Sequence, residues 1–210
     1  RVLQEMFRGS VYKTARLLCG YTDMTEFTHG PMCEKLQSKK KRKLIVMPRG
    51  TFKSSVGVVG YIVWLLIVNP DIRIMIDSEK YQNSKNFIRE IKGKLEQKMM
   101  ADLFGEFKSE HKWAEGEFTI KQRTKLLKES SVTASGIGAG KTGQHYDVII
   151  CDDLNTEENS DNSDQRKKIL RHYKMNTSIL EPDGILVVIG TRYATDDVIG
   201  YILDNEVKTA

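Results

Sequence analysis

The feature that most constrains this chain is a nine-residue segment, Met-Pro-Arg-Gly-Thr-Phe-Lys-Ser-Ser at positions 47–55, between two apolar runs. Residues 44–47 form the first run and residues 56–68 the second, an order that predicts a strand, a loop and a helix. Free N–H groups at a helix start attract anions, and Lys53 and Ser54 stand where a phosphate-binding loop places its lysine and its Mg²⁺-binding hydroxyl. The segment is therefore a candidate phosphate-binding loop.

The match to the usual pattern, G-x-x-x-x-G-K-[ST], is incomplete. Met47 and Phe52 occupy the two glycine positions, and Gly50 is the only glycine of the loop. By itself, the segment is equally consistent with an ordinary strand-to-helix turn that contains Lys-Ser. The candidate phosphate-binding residues are Pro48, Arg49, Gly50, Thr51, Phe52, Lys53, Ser54 and Ser55.

The composition is compatible with one α/β domain. The chain has 210 residues, begins at Arg1 and not at a methionine, and is expected to be a fragment. A net charge of +5 permits a polyanionic partner such as DNA without requiring one. The three cysteines fit neither a zinc site nor a disulfide framework, and Cys151 is predicted to be a core residue. We expect no membrane association, since the run 56–68 is shorter than the roughly 20 apolar residues a spanning helix needs.

Strand and helix patterns alternate along the chain. Predicted helices cover 1–20, a short stretch ending near 37, 54–68, a stretch beginning after a Ser78 cap, 164–176 and 196–204. Predicted strands cover 44–47, 71–76, 117–120, 131–135, 146–151 and 184–190. Residues 27–31 read as a turn and residues 157–163 as an acidic loop.

Polar or charged residues follow two further predicted strands. The apolar strand before Asp152 and Asp153 has the character of a strand buried in a parallel sheet, and its two carboxylates suit Mg²⁺ binding and activation of water. The strand 184–190 ends at Thr191 and Arg192. The glycine-rich stretch 136–143 contains Gly-Lys-Thr, but a strand pattern follows it almost at once, so we reject it as the primary phosphate loop.

In a parallel sheet these three strand ends lie at one edge, where ligands of open α/β sheets bind. Their combination predicts a P-loop NTPase of the RecA/ASCE type, with a doubly wound, mainly parallel sheet flanked by helices. The predicted cofactors are ATP and Mg²⁺. Within this fold, residues 1–42 would be an N-terminal helical segment, 43–205 the ATPase core and 206–210 the start of a linker.

On these residues the sequence resembles the ATPase domain of the large terminase of tailed bacteriophages, the motor that packages DNA into a capsid. The resemblance rests on residues 47–54, 143–153 and 189–193, and covers most of the chain from about residue 27. Related loops often depart from the strict pattern and carry an arginine, which Arg49 matches. The resemblance implies double-stranded DNA, a portal protein, a procapsid and the small terminase subunit as partners, a homo-oligomeric ring when active, and a place at the portal vertex in the host cytoplasm.

The resemblance also implies residue roles. Lys53 would bind the β and γ phosphates, and Ser54 and Asp152 would hold Mg²⁺. Asp153 stands at the position of the catalytic carboxylate, which is often a glutamate, so Glu157 or Glu158 is an alternative. Thr191 and Arg192 match the motif that couples hydrolysis to movement.

Two implications concern what lies around the core. Gln144 stands where related sequences often have an arginine that reaches a neighbouring subunit's ATP, and Lys141 is the nearest cation that can take this role. The family also carries a C-terminal nuclease domain, but only 18 residues follow Arg192, so we expect no nuclease activity here.

Alternatives remain open at this point. Another P-loop DNA translocase or helicase shares the same chemistry, and a catalytically degenerate nucleotide-binding ring module is compatible with Met47 and Phe52. Basic stretches at 39–43, 121–128 and 166–171 are candidate DNA contacts, although each is also compatible with a solvated surface, the interpretation we favour for the first stretch.

Overall fold

The computed structural model describes residues 1–140 and 143–207, in which a single mixed sheet is covered by helices. The strands are β1 (Arg42–Val46), β2 (Ile74–Ser78), β3 (Lys108–Trp113), β4 (Glu117–Ile120), β5 (Val132–Gly136), β6 (Tyr146–Asp152) and β7 (Leu180–Gly190). The helices are α1 (Val2–Arg8), α2 (Val11–Lys13), α3 (Glu26–Gln37), α4 (Tyr61–Val68), α5 (Tyr81–Leu95), α6 (Lys98–Phe104), α7 (Glu157–Ser160), α8 (Ser163–Ser178) and α9 (Val198–Asn205). Two π-helical segments, Thr14–Leu18 and Ser55–Gly60, continue α2 and precede α4.

The sheet is mainly parallel. Its seven strands lie in the order β1-β7-β6-β2-β5-β4-β3, and every neighbouring pair from β1 to β5 is parallel. β4 and β3 add an antiparallel edge. The predicted α/β architecture is confirmed, whereas β3 was not predicted, because its sequence Lys-Ser-Glu-His-Lys-Trp lacks an apolar alternation.

Helices cover both faces of the sheet, as expected for a doubly wound fold. Alternate residues of the central strands face opposite ways, so that Ile150 joins one core cluster and Ile149 the other. The first cluster also contains the N-terminal helices, α4 and α5, and the second contains α8 and α9. Cys151 is fully buried in the second cluster, as predicted.

The prediction of a turn at 27–31 was wrong. These residues lie inside α3, which Thr25 caps by accepting a hydrogen bond from the Thr28 N–H at 3.3 Å. The helix contains Pro31, whose missing N–H breaks one helical hydrogen bond without ending the helix. The single predicted helix over 1–20 is interrupted between α1 and α2, where Ser10 caps α2.

Two other local predictions were wrong. Ser78 is the last residue of β2, and its hydroxyl lies 3.1 Å from that of Ser84 instead of capping α5. The predicted loop 157–163 contains the short helix α7, which begins with a reciprocal capping box between Thr156 and Asn159. Among residues 1–140 and 143–207, no helix combines the length and apolar character that crossing a membrane requires.

Candidate nucleotide-binding site

The carboxyl ends of β1, β7 and β6 meet at one edge of the sheet. β7 lies between the other two strands, with Val46 paired to Gly190 and Asp152 paired to Ile189. The segments that follow these strands are therefore neighbours in space. The predicted convergence of three polar strand ends is confirmed.

The loop after β1 contacts the end of β6 through Ser54. Its hydroxyl donates a hydrogen bond to Asp152 Oδ1 at 2.9 Å. Asp152 is buried, and burial raises the pKa of its carboxyl to about 7. The neighbouring Asp153 charge also raises this pKa, while the Ser54 hydrogen bond and the Lys53 charge lower it.

Lys53 and Asp153 form the second contact across this edge. Lys53 is buried, and its Nζ lies 3.5 Å from Asp153 Oδ2. Asp153 adopts a left-handed backbone conformation (φ 43°), and its N–H donates to the Ile189 carbonyl at 3.0 Å. Its Oδ1 is buried and finds no hydrogen-bond partner among the described residues.

These oxygens fit a Mg²⁺ ion bound together with phosphate. Mg²⁺ prefers hard oxygen ligands and usually takes only one or two from the protein, the others being water and phosphate oxygens. The Ser54 hydroxyl and the buried Asp152 carboxylate are adjacent, and among the described residues the ion pair of Lys53 is with Asp153 and not with Asp152. The donor set therefore suits the ion predicted from the sequence.

The loop itself turns through two left-handed residues. Gly50 has φ 78° and Phe52 has φ 55°. Glycine adopts such angles freely, whereas a residue with a side chain does so at a cost of about 1–3 kcal/mol. Phe52 thus keeps a glycine-like backbone at the position where the usual pattern has glycine, and its side chain remains partly exposed.

Contacts from outside the loop hold this conformation. The His29 Nδ1 lies 3.0 Å from the Thr25 backbone nitrogen and 3.2 Å from the Thr25 carbonyl oxygen. Nε2 faces the Thr51 carbonyl, which can only accept, so this contact requires a proton on Nε2. Nε2 then donates to the Thr51 carbonyl at 3.0 Å, and Thr51 Oγ1 donates to the Pro48 carbonyl at 2.8 Å. The buried His29 therefore links α3 to the loop, a role that its position in the sequence did not indicate.

Arg49 is held away from the two carboxylates. Its Nε donates to the Tyr193 hydroxyl at 2.9 Å, its guanidinium lies 5.5 Å from the centre of that ring, and its Nη1 lies 3.9 Å from Glu157 Oε2. Tyr193 lies in the segment that follows β7, directly after Thr191 and Arg192. Its place in that segment is the one feature of the sequence that put it near the loop that carries Arg49. Arg49 is exposed, and its described partners are Tyr193 and Glu157.

The segment after β7 contacts the loop through Thr191. Its Oγ1 donates to the Met47 carbonyl at 3.1 Å. Arg192 is exposed and bonds within its own segment, with Nε 3.3 Å from the Ala194 carbonyl and Nη2 3.4 Å from the Thr195 carbonyl. Of the two predicted coupling residues, Thr191 bonds to the loop, whereas the described hydrogen bonds of Arg192 stay within its own segment.

The remaining sequence candidates are spread more widely. Glu157 and Glu158 are exposed, and Glu158 lies 3.8 Å from Lys80. Of the three candidate carboxylates, Asp153 pairs with Lys53, whereas Glu157 pairs with Arg49 and Glu158 with Lys80. Ser55 is the first residue of the π-helical segment, and Lys141 lies outside the described residues.

A polar cleft of about 350 Å³ opens beside the carboxylates. One wall comes from the loop and β6, and the other from the end of β2 and from α5. Sequence reasoning assigned no role to the α5 side chains, because their spacing predicted only packing on the sheet. The lining residues are Ser54, Ser78, Asn83, Asn86, Phe87, Glu90, Asp152 and Asp153.

One basic stretch considered for DNA contact is partly structural. The Lys43 ammonium is buried, and it donates to the Leu36 carbonyl and to the Ser38 carbonyl. Burial lowers its pKa to about 8. Lys43 is therefore not available to a DNA phosphate, whereas Lys39 and Lys40 are at or near the surface.

Comparison with known proteins adds the class of fold. No family model and no curated protein matches the sequence. A variant of S. cerevisiae Dbp5, solved with Nup159, a Gle1 variant, IP6 and ADP, is 10% identical with a TM-score of 0.55, and the match covers 92% of this chain. This chain spans about half of that one (48%).

A second solved structure is an arginine-to-alanine mutant of the large terminase ATPase domain of Thermus phage P74-26. It is 15% identical with a TM-score of 0.53, and the match covers 85% of this chain and 69% of that domain. At these identities the likeness concerns the fold alone. Together with the sheet order, it shows that this chain has the fold of the RecA-like P-loop ATPases.

Proposed function

We propose that this chain is a Mg²⁺-dependent ATPase whose hydrolysis of ATP drives double-stranded DNA into a viral procapsid, as the ATPase domain of a large terminase. The observation that carries the proposal is the pair of contacts across one sheet edge. Ser54 meets Asp152 at 2.9 Å, and Lys53 meets Asp153 at 3.5 Å. P-loop NTPases bring together a lysine, a Ser/Thr hydroxyl, an aspartate that helps hold Mg²⁺ and a residue that positions the attacking water.

In this proposal the loop binds the phosphates of ATP. Lys53 leaves Asp153 for the outer phosphates, and the N–H groups at the start of the Ser55–Gly60 segment face the negative charge. Ser54 and Asp152 hold Mg²⁺, which when bound neutralises charge on the phosphate oxygens. Asp153, released from Lys53, accepts a proton from the attacking water.

Arg49 and Thr191 connect this chemistry to movement in the proposal. Arg49 leaves Tyr193 and binds a phosphate of ATP. Thr191 is bonded to Met47, so a movement of the loop also moves the segment after β7. Lys141 supplies the cation that completes a neighbouring subunit's site in a ring. Arg192 belongs to the same coupling segment.

The DNA-packaging part rests on the sequence resemblance to large terminases and is supported by the fold shared with a phage terminase ATPase domain. The partners in this proposal are double-stranded DNA, the portal protein, the procapsid, the small terminase subunit and further copies of this chain. The site of action is the portal vertex in the host cytoplasm.

A second candidate function is that of another P-loop translocase or helicase. The observation that favours it is the similar TM-score of the match to Dbp5, 0.55 against 0.53 for the terminase domain. A degenerate nucleotide-binding ring module is the third possibility, for which the side chain of Phe52 is the argument. The first two candidates differ in the movement that ATP hydrolysis drives, and the third binds nucleotide without hydrolysing it.

Two assays distinguish these candidates, and both also measure ATP binding and hydrolysis. The first supplies the chain with ATP, DNA and a portal-bearing procapsid and measures DNA protected from nuclease. The second supplies ATP and a duplex with a single-stranded tail and measures unwinding. The terminase proposal expects DNA protected from nuclease inside the procapsid, with Lys53→Ala inactive. ATP-dependent unwinding of the duplex without protection would favour the helicase. ATP binding without hydrolysis in either assay would favour the degenerate module.

A further inference from the structure

A small cavity lies against Asp153, and Lys53 is not among the residues that line it. It has about 10 Å³ of room for a water-sized sphere, close to what one buried water needs. The segment after β6, the end of β7 and the start of α9 enclose it. The lining residues are Asp153, Leu154, Asn155, Val188, Ile189, Gly190, Thr191, Val198 and Ile199.

Two buried polar atoms of the lining residues lack a hydrogen-bond partner among the described residues. They are Asp153 Oδ1 and Asn155 Nδ2. A buried polar group without a partner costs about 1–3 kcal/mol, so native proteins usually supply one. One atom is an acceptor and the other a donor, which is the pair that a single water can bridge.

The orientation of Asn155 is fixed by its other atom. Its Oδ1 accepts a hydrogen bond from the Val198 N–H at 3.1 Å, in the first turn of α9. Only the carbonyl oxygen of the amide can accept from an N–H, so Oδ1 is the atom that faces Val198 and Nδ2 points away from it. Asn155 is itself buried, which leaves the donor no access to bulk solvent.

We propose that this cavity binds one structural water, which accepts from Asn155 Nδ2 and donates to Asp153 Oδ1. Asn155 is then a positioning residue for Asp153: through the water it holds one carboxylate oxygen, so that Oδ2 faces Lys53 and the cleft. The same side chain bonds α9, which ties the reacting carboxylate to the segment that follows Thr191. The catalytic part of this inference rests on the proposed ATPase function, whereas the water site does not.

Gly190 provides a way to fill the cavity without breaking any of these bonds. A Cβ on this residue would lie 3.5 Å from Asp153 Oδ1 and 3.5 Å from the Ile199 Cδ1, which is ordinary van der Waals contact. Gly190→Ala should therefore fit the fold and displace the water. It tests the water independently of Asn155.

The first arm of the test is a crystal structure of the wild-type chain at a resolution that shows ordered waters. The proposal expects a water within hydrogen-bond distance of both atoms, and expects Gly190→Ala to lack it. Direct contact between Asn155 Nδ2 and Asp153 Oδ1, or a cavity without density in the wild type, would overturn the proposal. This arm needs no ATP turnover.

The second arm measures kcat and KM for ATP. Asn155→Ala and Gly190→Ala should each lower kcat roughly 10- to 100-fold with KM nearly unchanged, as expected when a reacting group loses its position. Asn155→Asp keeps an acceptor for the Val198 N–H but removes the donor to the water, so it should not restore kcat. Restoration by Asn155→Asp would mean that the residue only caps α9, and would overturn the positioning role.

Asn159→Ala is the matched control. Asn159 is a buried asparagine nearby, and it donates to the Leu154 carbonyl at 3.1 Å and accepts from the Thr156 N–H at 2.9 Å. Its loss should lower thermal stability while leaving kcat within about twofold. A wild-type chain without turnover but with the water would reject the proposed ATPase alone, and normal turnover in Gly190→Ala would reject the positioning role alone.

Discussion

The hydroxyl of Ser54 donates a 2.9 Å hydrogen bond to Asp152 Oδ1, across 98 positions of sequence. The contact spans from the loop after β1 to the end of β6, with β7 between the two strands. It brings together the two protein oxygens to which we assign Mg²⁺.

Replacing the Ser54 hydroxyl should weaken the binding of Mg²⁺ with nucleotide. We expect Ser54→Ala to raise the Mg²⁺ concentration needed for half-maximal nucleotide binding by roughly 10- to 100-fold, because an oxygen ligand is lost. Ser54→Thr keeps the hydroxyl and is the control, with a shift of no more than a few-fold. Equal Mg²⁺ dependence in the alanine variant and the wild type would remove Ser54 from the metal site.

Asp152 should make the metal-free protein less stable as the pH rises. Its pKa is about 7 in the folded chain against 3.8 ordinarily, so the folded state holds the proton more tightly than the unfolded state. The resulting stabilisation is fully present below about pH 4 and is lost as the pH rises through 7. At pH 8 without metal, Asp152→Asn should have the higher free energy of unfolding, by on the order of 3 kcal/mol.

Urea unfolding in a chelator at pH 5 and pH 8 checks this. The difference between Asp152→Asn and the wild type should grow with pH, and Asp183→Asn, at an exposed aspartate, is the control. A difference that stays constant between the two pH values would argue against a raised pKa.

Phe52 should carry backbone strain that glycine relieves. We expect Phe52→Gly to be more stable than Phe52→Ala by about 1 kcal/mol, because both lose the ring and only glycine tolerates φ 55° without cost. Chemical denaturation of the two variants measures the difference. If alanine proved the more stable, the left-handed conformation of residue 52 would be wrong.

The three thiols should be unreactive in the native protein. Cys19, Cys33 and Cys151 are all buried, and burial raises the pKa of Cys19 and of Cys33 to about 12. A thiol reagent reacts with the thiolate, which is scarce at neutral pH under these conditions. Titration with a chromogenic disulfide should therefore detect no fast-reacting thiol until denaturant is added, after which all three react. A thiol that reacts fast in native buffer would indicate an opening that the fold does not contain.

The strands that build the site were predictable because their burial leaves a continuous apolar signal. Ile149 and Ile150 face opposite sides of the sheet, and both sides are covered, so no polar alternation interrupts the run. Parallel pairing then places the residues after these strands at one edge. For this reason the sequence alone predicts that Lys53, Ser54, Asp152 and Asp153 lie together.

Other parts of the site depend on contacts that are distant in sequence. His29 reaches the loop from within α3, a helix that contains Pro31 where the local signal predicted a turn. Phe52 adopts a glycine-like angle because the surrounding contacts hold the loop, and no rule on local propensity predicts this. The cavity against Asp153 depends on the first turn of α9 packing against the segment after β6, which no motif indicates.

The most direct test of the account is Mg²⁺-dependent ATP turnover by the wild type, Lys53→Ala and Lys98→Ala. Lys98 is an exposed lysine paired with Asp102 at 2.7 Å and serves as the matched control. We predict turnover in the wild type and in Lys98→Ala, its loss on chelation, and a fall of at least about 100-fold in Lys53→Ala. Turnover that persists in Lys53→Ala would contradict the assignment of the loop after β1 as the phosphate-binding loop.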